Sequence, residues 1–211
     1  MSKKAKRILV YCAGIIIMST GLALNVKSFL GVAPVLTVPR VLSDIVGWDF
    51  SNMLFVFYAG FIVLQFILRG KQSRPFDLIQ FPIGLAITRF VALVTKLIPS
   101  SETSPIALKI LILILAIVVT GIGVAMSVDM KIAPNPADGL AAAIGERFGI
   151  GLGMGKNILD ISSVVIAFII SMLHSHTLGP IGIGTVAAGL LVGRVIAAVN
   201  GKFGSKLAEL L

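Results

Sequence analysis

Four charged side chains fall inside long apolar runs, where an ionisable group is costly and marks a pathway, a pairing or a binding site. Arg89 lies near the middle of one run. Asp160 lies near the middle of another, with Lys156 one turn before it on the same helical face, and Arg194 lies within the last run. Asp160 can pair with Lys156 in its own helix or with Arg89 from another. Such pairs either close a helix bundle or serve a solute. In the second case the arginines hold an anionic group, and Asp160 acts as their charge partner or as a proton acceptor. Arg194 can instead reach the headgroups along the bilayer edge.

Two proline-bearing linkers add polar groups at helix starts. They read Gly31-Val-Ala-Pro-Val-Leu-Thr-Val-Pro-Arg40 and Lys131-Ile-Ala-Pro-Asn-Pro-Ala-Asp-Gly139. Each runs into a short helical stretch, 37–46 and 136–147, with Pro39 and Pro136 at early helical positions and Thr37 and Asn135 as N-caps. At about 15 Å neither stretch can span a bilayer. Each either dips into it, offering N–H groups and a positive dipole end to a polar or anionic solute, or lies along the interface. Asp138, in the first turn of the second, favours that helix start or faces a cytoplasmic vestibule. Gly149, Gly151, Gly153 and Gly155 precede the fifth apolar run and form a hinge or a close-packed helix entry.

Other chemistries find no support. His174 and His176 sit in a short external loop without carboxylate or thiolate partners, so no metal site is expected. There is no phosphate loop, no nucleophile elbow and no zinc-protease helix. No enzyme activity and no cofactor are expected. Asn135-Pro136-Ala137 matches the aquaporin tripeptide, but it occurs once and after the wrong span, which argues against a water channel. Cys12, the only cysteine, allows no disulfide within the chain and is expected to pack as a small side chain.

The elements that must position these groups are apolar runs of about 20 residues, the length that crosses about 30 Å of hydrocarbon. Six are present, at 8–26, 52–69, 78–98, 106–127, 154–173 and 180–199. With 57% hydrophobic and 13% charged residues and a mean hydropathy of +1.04, the chain is too apolar for a soluble domain of its size. Its net charge of +9 does not indicate nucleic acid, because the basic residues sit in short tracts between the runs. If six spans alternate, eleven basic residues (Lys3, Lys4, Lys6, Arg7, Arg69, Lys71, Arg74, Lys131, Arg147, Lys202, Lys206) fall on one side. Four (Lys27, Arg40, Lys96, Lys109) fall on the other. That asymmetry places both termini in the cytoplasm, with the chain expected in the inner membrane.

The chain also repeats itself. Thr20-Gly21 and Ala33-Pro34 match Thr120-Gly121 and Ala133-Pro134. Gly84-Leu85-x-x-x-Arg89-x-x-Ala92-x-Val94 matches Gly189-Leu190-x-x-x-Arg194-x-x-Ala197-x-Val199. The halves are then 1–100 and 101–211 of a single membrane domain. Three spans in each force the halves into opposite orientations, an arrangement found in secondary transporters with sites near the midplane. The expected fold is all-α, with six spans in two inverted three-helix repeats, each carrying a short proline-led re-entrant or interfacial helix.

Pro136-Ala-Asp138-Gly139-Leu140, Arg147-Phe-Gly149 and Gly182-Ile-Gly184-Thr185-Val186 resemble second-half motifs of the YczE branch of the YczE/YyaS/YitT bacterial membrane proteins. Gly31-Val-Ala-Pro34 with Leu42-Ser43 and Gly47 fits the first-half pattern, although Val35 stands where that family often has Trp. The resemblance implies a multi-span membrane protein and no particular substrate. The function that fits best is a small secondary transporter or exporter of a polar or anionic organic solute. The alternatives are a substrate-binding membrane subunit of an ATPase-driven vitamin-uptake complex, or a non-transporting partner protein. The expected partners are the lipid bilayer, a small-molecule solute, and either a second copy or another membrane protein, with no nucleic acid.

Overall fold

A computed structural model describes residues 2–208, and the side chain of Lys206 lies outside what it describes. The described residues form eight α-helices and no strand. Six are long: α1 (Lys3–Lys27), α3 (Phe50–Arg69), α4 (Gln80–Leu97), α5 (Ile106–Asp129), α7 (Gly151–Ser175) and α8 (Ile183–Ala208). Their spans are long and apolar enough to cross a membrane, which makes the chain a multi-pass membrane protein. The short helices are α2 (Thr37–Val46) and α6 (Pro136–Phe148). The last span starts later than the apolar run suggested, because Gly179, with φ +56°, belongs to a turn and Pro180 still lies before the helix.

The helices group into two compact units, each assembled from corresponding pieces of the two sequence halves. The first unit takes residues up to Ala33, Arg89–Ile132, and those from Gly182 onward. It is built on α1 and α5, which run antiparallel: Gly14 lies against Gly123 and Ser127, Met18 against Gly123, and Gly21 against Thr120. A Cβ added at Gly14 would stand 2.7 Å from the Ser127 amide nitrogen, and one at Gly123 would stand 2.7 Å from the Gly14 carbonyl oxygen. Lipid tails are as apolar as leucine, so membrane helices associate through this kind of close backbone packing. Both helix ends are closed by the segment that leads into the partner. Arg7 donates to the carbonyls of Met130 (2.7 Å) and Lys131 (2.9 Å) after α5. The Ser101 hydroxyl donates to the Lys27 carbonyl at the end of α1.

On α5, Leu113 and Ile117 pack with Ala188 of α8, and Val192 and Val195 join them. The start of α8 meets the loop after α1, where Gly184 N–H donates to the Leu30 carbonyl at 2.6 Å. Gly31 has φ +106°, and a Cβ there would lie 2.6 Å from the Gly182 nitrogen, so both backbone conformation and space require glycine. Cys12 is exposed, contrary to the expectation that it would pack.

The second unit contains Pro34–Thr88 and Ala133–Ile181. Here α2 packs on α7, with Val38 and Val41 against Ala167, and α6 packs on α3 and α7. The pairs α2 with α7 and α6 with α3 are the two counterparts expected of a repeat. Thr37 does not cap α2. It is the first helical residue, Leu36 precedes it with no side-chain cap, and its buried hydroxyl donates to the Pro34 carbonyl at 2.7 Å. The single-turn segment Pro34–Leu36 already turns the chain, so the helix needs no hydroxyl acceptor before it.

The glycine run divides its work. Gly149 ends α6 in the left-handed conformation, with φ +67°, and Gly151 opens α7. A Cβ at Gly155 would collide with the Ala141 carbonyl oxygen, and one at Gly145 with that of Gly151. Thus α6 and α7 form an antiparallel hairpin closed by glycine contacts.

Filling the α1–α5 contact with Gly123→Val is expected to cost about 1–3 kcal/mol through overpacking. This should appear as a lower thermal midpoint in detergent. Gly60→Val, at an exposed helical position with open space around it, should leave the midpoint within about 0.5 kcal/mol of wild type. Equal effects of the two would remove the close-packing account.

Candidate functional site

The register of α6 along α3 sets the depth of its first turn. Glu146, in the last turn of α6, meets Arg69 at the end of α3, with Arg69 Nε to Glu146 Oε2 at 2.8 Å and Nη2 to Oε1 at 3.0 Å. At the other end, the Pro136 carbonyl accepts from Gln65 Nε2 at 3.1 Å. The Pro136 ring and the Tyr58 ring both face Gly84, and Asp138 acts electrostatically on Tyr58. Tyr58 is the ninth residue of the twenty in α3. The first turn of α6 therefore lies near the stretch of α3 from Tyr58 to Gln65, and its last turn beside the end of α3. Of the two placements open from the sequence, this register is compatible with a helix that dips into the apolar layer.

The first backbone amides of a helix need partners from outside its own ladder. Asn135 caps it, its Oδ1 accepting from the Asp138 N–H at 3.0 Å, while Asn135 Nδ2 donates to Asp138 Oδ2 at 2.5 Å. Lys156 Nζ, from α7, reaches Asp138 Oδ1 at 3.2 Å. The Asp138 side chain is 16% exposed and that of Lys156 is 38% exposed, so the pair is open on the lysine side. Asp160, one turn further along α7, acts electrostatically on both Lys156 and Asp138. Among the described residues its carboxylate makes no ion pair within 4.0 Å. Lys156 thus serves two carboxylates and is held by Asp138. The sequence alternative in which Lys156 pairs with Asp160 inside α7 is replaced by a contact between helices, since Asp138 lies in the first turn of the helix packed against that face.

Beneath this cluster lies a polar contact that was not singled out from the sequence. Gln65 and Gln80 exchange amide hydrogen bonds at 3.0 and 2.9 Å, and both are buried. A Cβ at Gly139 would lie 2.6 Å from each of their Oε1 atoms, so glycine lets the pair sit against α6. The signal was present: two glutamines stand within or beside apolar runs, where an amide must find a partner.

Asn135, Asp138, Lys156 and Asp160 are therefore brought together in the second unit. Thr37 belongs to the same unit but is buried in the α2 start. Arg89 and Arg194 belong to the first unit, and both are exposed. Neither makes an ion pair among the described residues. Exposed arginines at these positions suit contact with surrounding headgroups or water along their long stems. His174 and His176 are exposed as well, and no group of three metal-ligating side chains occurs among the described residues.

The same residues lie within a stretch matched by a single family model, which covers residues 5–201. The chain belongs to DUF6198, a family of unknown function. No curated protein and no solved structure matches it. For this DUF6198 member the site must accordingly be read from its own geometry. That geometry offers one amine, two carboxylates and a capping amide around the first turn of a half-length helix. Lys156 is the more exposed member of its pair, and the buried glutamine pair is separate from it.

Gln65→Leu should destabilise the fold by about 1–3 kcal/mol, because the Gln80 amide and the Pro136 carbonyl both lose their partner. Gln65→Leu combined with Gln80→Leu should cost less than the two single changes added together. Thermal unfolding in detergent measures this, and strict additivity would show that the amides do not act as a pair.

Proposed function

We propose that the chain is a small secondary transporter or exporter of a polar or anionic organic solute, working by alternating access. The observation that carries this reading is the Lys156–Asp138 contact at the start of α6, which packs against α3 at Gln65. Asp160 lies about 14 Å along α7, close to half the thickness of a bilayer core of about 30 Å. Interrupted helices with charged groups at that depth are where secondary transporters bind solutes and coupling ions.

The Asp138 N–H is occupied by the Asn135 side chain, and the Asp138 carboxylate adds negative charge there. Lys156 is therefore the group that would receive a solute carboxylate, releasing Asp138, and Asp160 is the proton acceptor. The repeat expected from the sequence would suit the same reading, since inverted halves are a common secondary-transporter plan. In this proposal the chain lies in the bacterial cytoplasmic membrane with both termini inside. Labelling single cysteines placed at Ser2 and Ser104 in a Cys12→Ala background should find the first reactive only from the cytoplasm and the second only from outside.

Proteoliposomes holding the purified chain alone, screened with labelled amino acids and small carboxylates, should show gradient-dependent uptake of at least one of them. For that solute, Lys156→Met and Asp160→Asn should each lower flux by about tenfold or more, with normal folding. Flux that appears only with an added ATPase would favour the vitamin-uptake subunit. Unchanged flux in both variants would remove the cluster from the mechanism.

A further inference from the structure

A second polar feature lies at the other end of α6. The end of α3, the turn Gly70–Gln72 and the last turn of α6 enclose a cleft of about 270 Å³, with Arg69, Lys71, Gln72, Glu146 and Arg147 among its lining residues. The Arg69 guanidinium is fully engaged: it grips Glu146 through two nitrogens and reaches Asp77 Oδ2 at 3.1 Å with the third. It acts as a brace, with its charge compensated by two carboxylates. Lys71 and Arg147 are different. Both are exposed, and neither has an ion pair among the described residues. Arg69, Lys71 and Arg147 against Glu146 and Asp77 leave one net positive charge, presented by Lys71 and Arg147 beside the Gln72 amide.

Two donors of positive charge beside an amide suit a phosphate oxyanion, which arginine can hold through paired N–H groups. The volume falls below the roughly 300–1,000 Å³ of sites for drug-sized ligands, and so suits a headgroup. The surroundings favour a lipid as its source. Ile67, adjacent in the chain to the lining residue Leu68, is 68% exposed, and Phe148, next to Arg147, is 66% exposed. Apolar side chains beside the cations offer surface to acyl chains while the cations take the phosphate. Basic pockets between membrane helices recognise anionic lipids in this way.

We propose that this cleft is a phosphate-ester site, filled by the headgroup of an anionic phospholipid. It uses neither Lys156 nor Asp160, so its test is independent of transport. The full chain, purified in detergent, is offered phosphatidylglycerol or phosphatidylcholine, and retained lipid is counted by native mass spectrometry alongside the thermal midpoint. Wild type should retain phosphatidylglycerol preferentially. Lys71→Gln with Arg147→Gln should lower that retention by about tenfold or more, and each single change by about fivefold. Lys71→Arg with Arg147→Lys should keep it, which separates charge from folding. Stabilisation by glycerol 3-phosphate but not by phosphatidylglycerol, lost in the glutamine variants, would keep the phosphate site and assign it a soluble source. Equal retention of both lipids by wild type, or retention unchanged in every glutamine variant, would overturn the proposal.

Discussion

A helix that starts inside an apolar layer must find partners for its first backbone groups without water. In this chain the start of α6 has such partners, and much of the second unit supplies them. Asn135 takes the Asp138 amide. Gln65 takes the Pro136 carbonyl, and Gln80 holds Gln65 in place. Glycine at 139 is needed for the two amides to lie against the helix, and glycine at 84 leaves room for the Pro136 ring beside Tyr58. At the far end, Arg69 ties Glu146 to Asp77 and sets the register of α6 along α3. The charged cluster of Asp138, Lys156 and Asp160 exists because this start is packed against α7.

The first unit solves a different problem. It has to join long apolar helices that gain little by hiding from lipid. Its answer is backbone proximity along α1 and α5, with Gly14, Gly21 and Gly123 at the contacts and the helix ends closed by Arg7 and Ser101. The motif Gly182-Ile-Gly184 works the same way, letting the start of α8 meet the loop at Leu30 and Gly31. Glycine in one unit brings helices together, and in the other it also makes room for buried amides. The two uses are not distinguishable from glycine content alone.

Much of this was legible beforehand because it depends on local chemistry. Span lengths follow from runs of apolar residues, and the observed helices differ from them mainly at their ends. Asn135 as a cap follows from an Asn-Pro step before a helical stretch, since both residues act on their own turn. Thr37 failed the same reasoning because a one-turn segment before it changed which residue begins the helix. The glutamine pair escaped notice because Gln65 and Gln80 stand on consecutive spans, and their meeting depends on how those spans return past each other.

By itself, the sequence determined the number of apolar spans and the two short proline-led helices. Each of these is a matter of side-chain type and spacing along one segment. Only the tertiary structure decided that Lys156 pairs with Asp138, that the first turn of α6 meets Gln65 of α3, and that Arg89 and Arg194 belong to a different unit from Asp160. The reason is physical. A charge in an apolar run must find a counter-charge, but which one it finds depends on the face and depth at which a neighbouring helix presents its own. That information lies in the packing of α6 against α3 and α7.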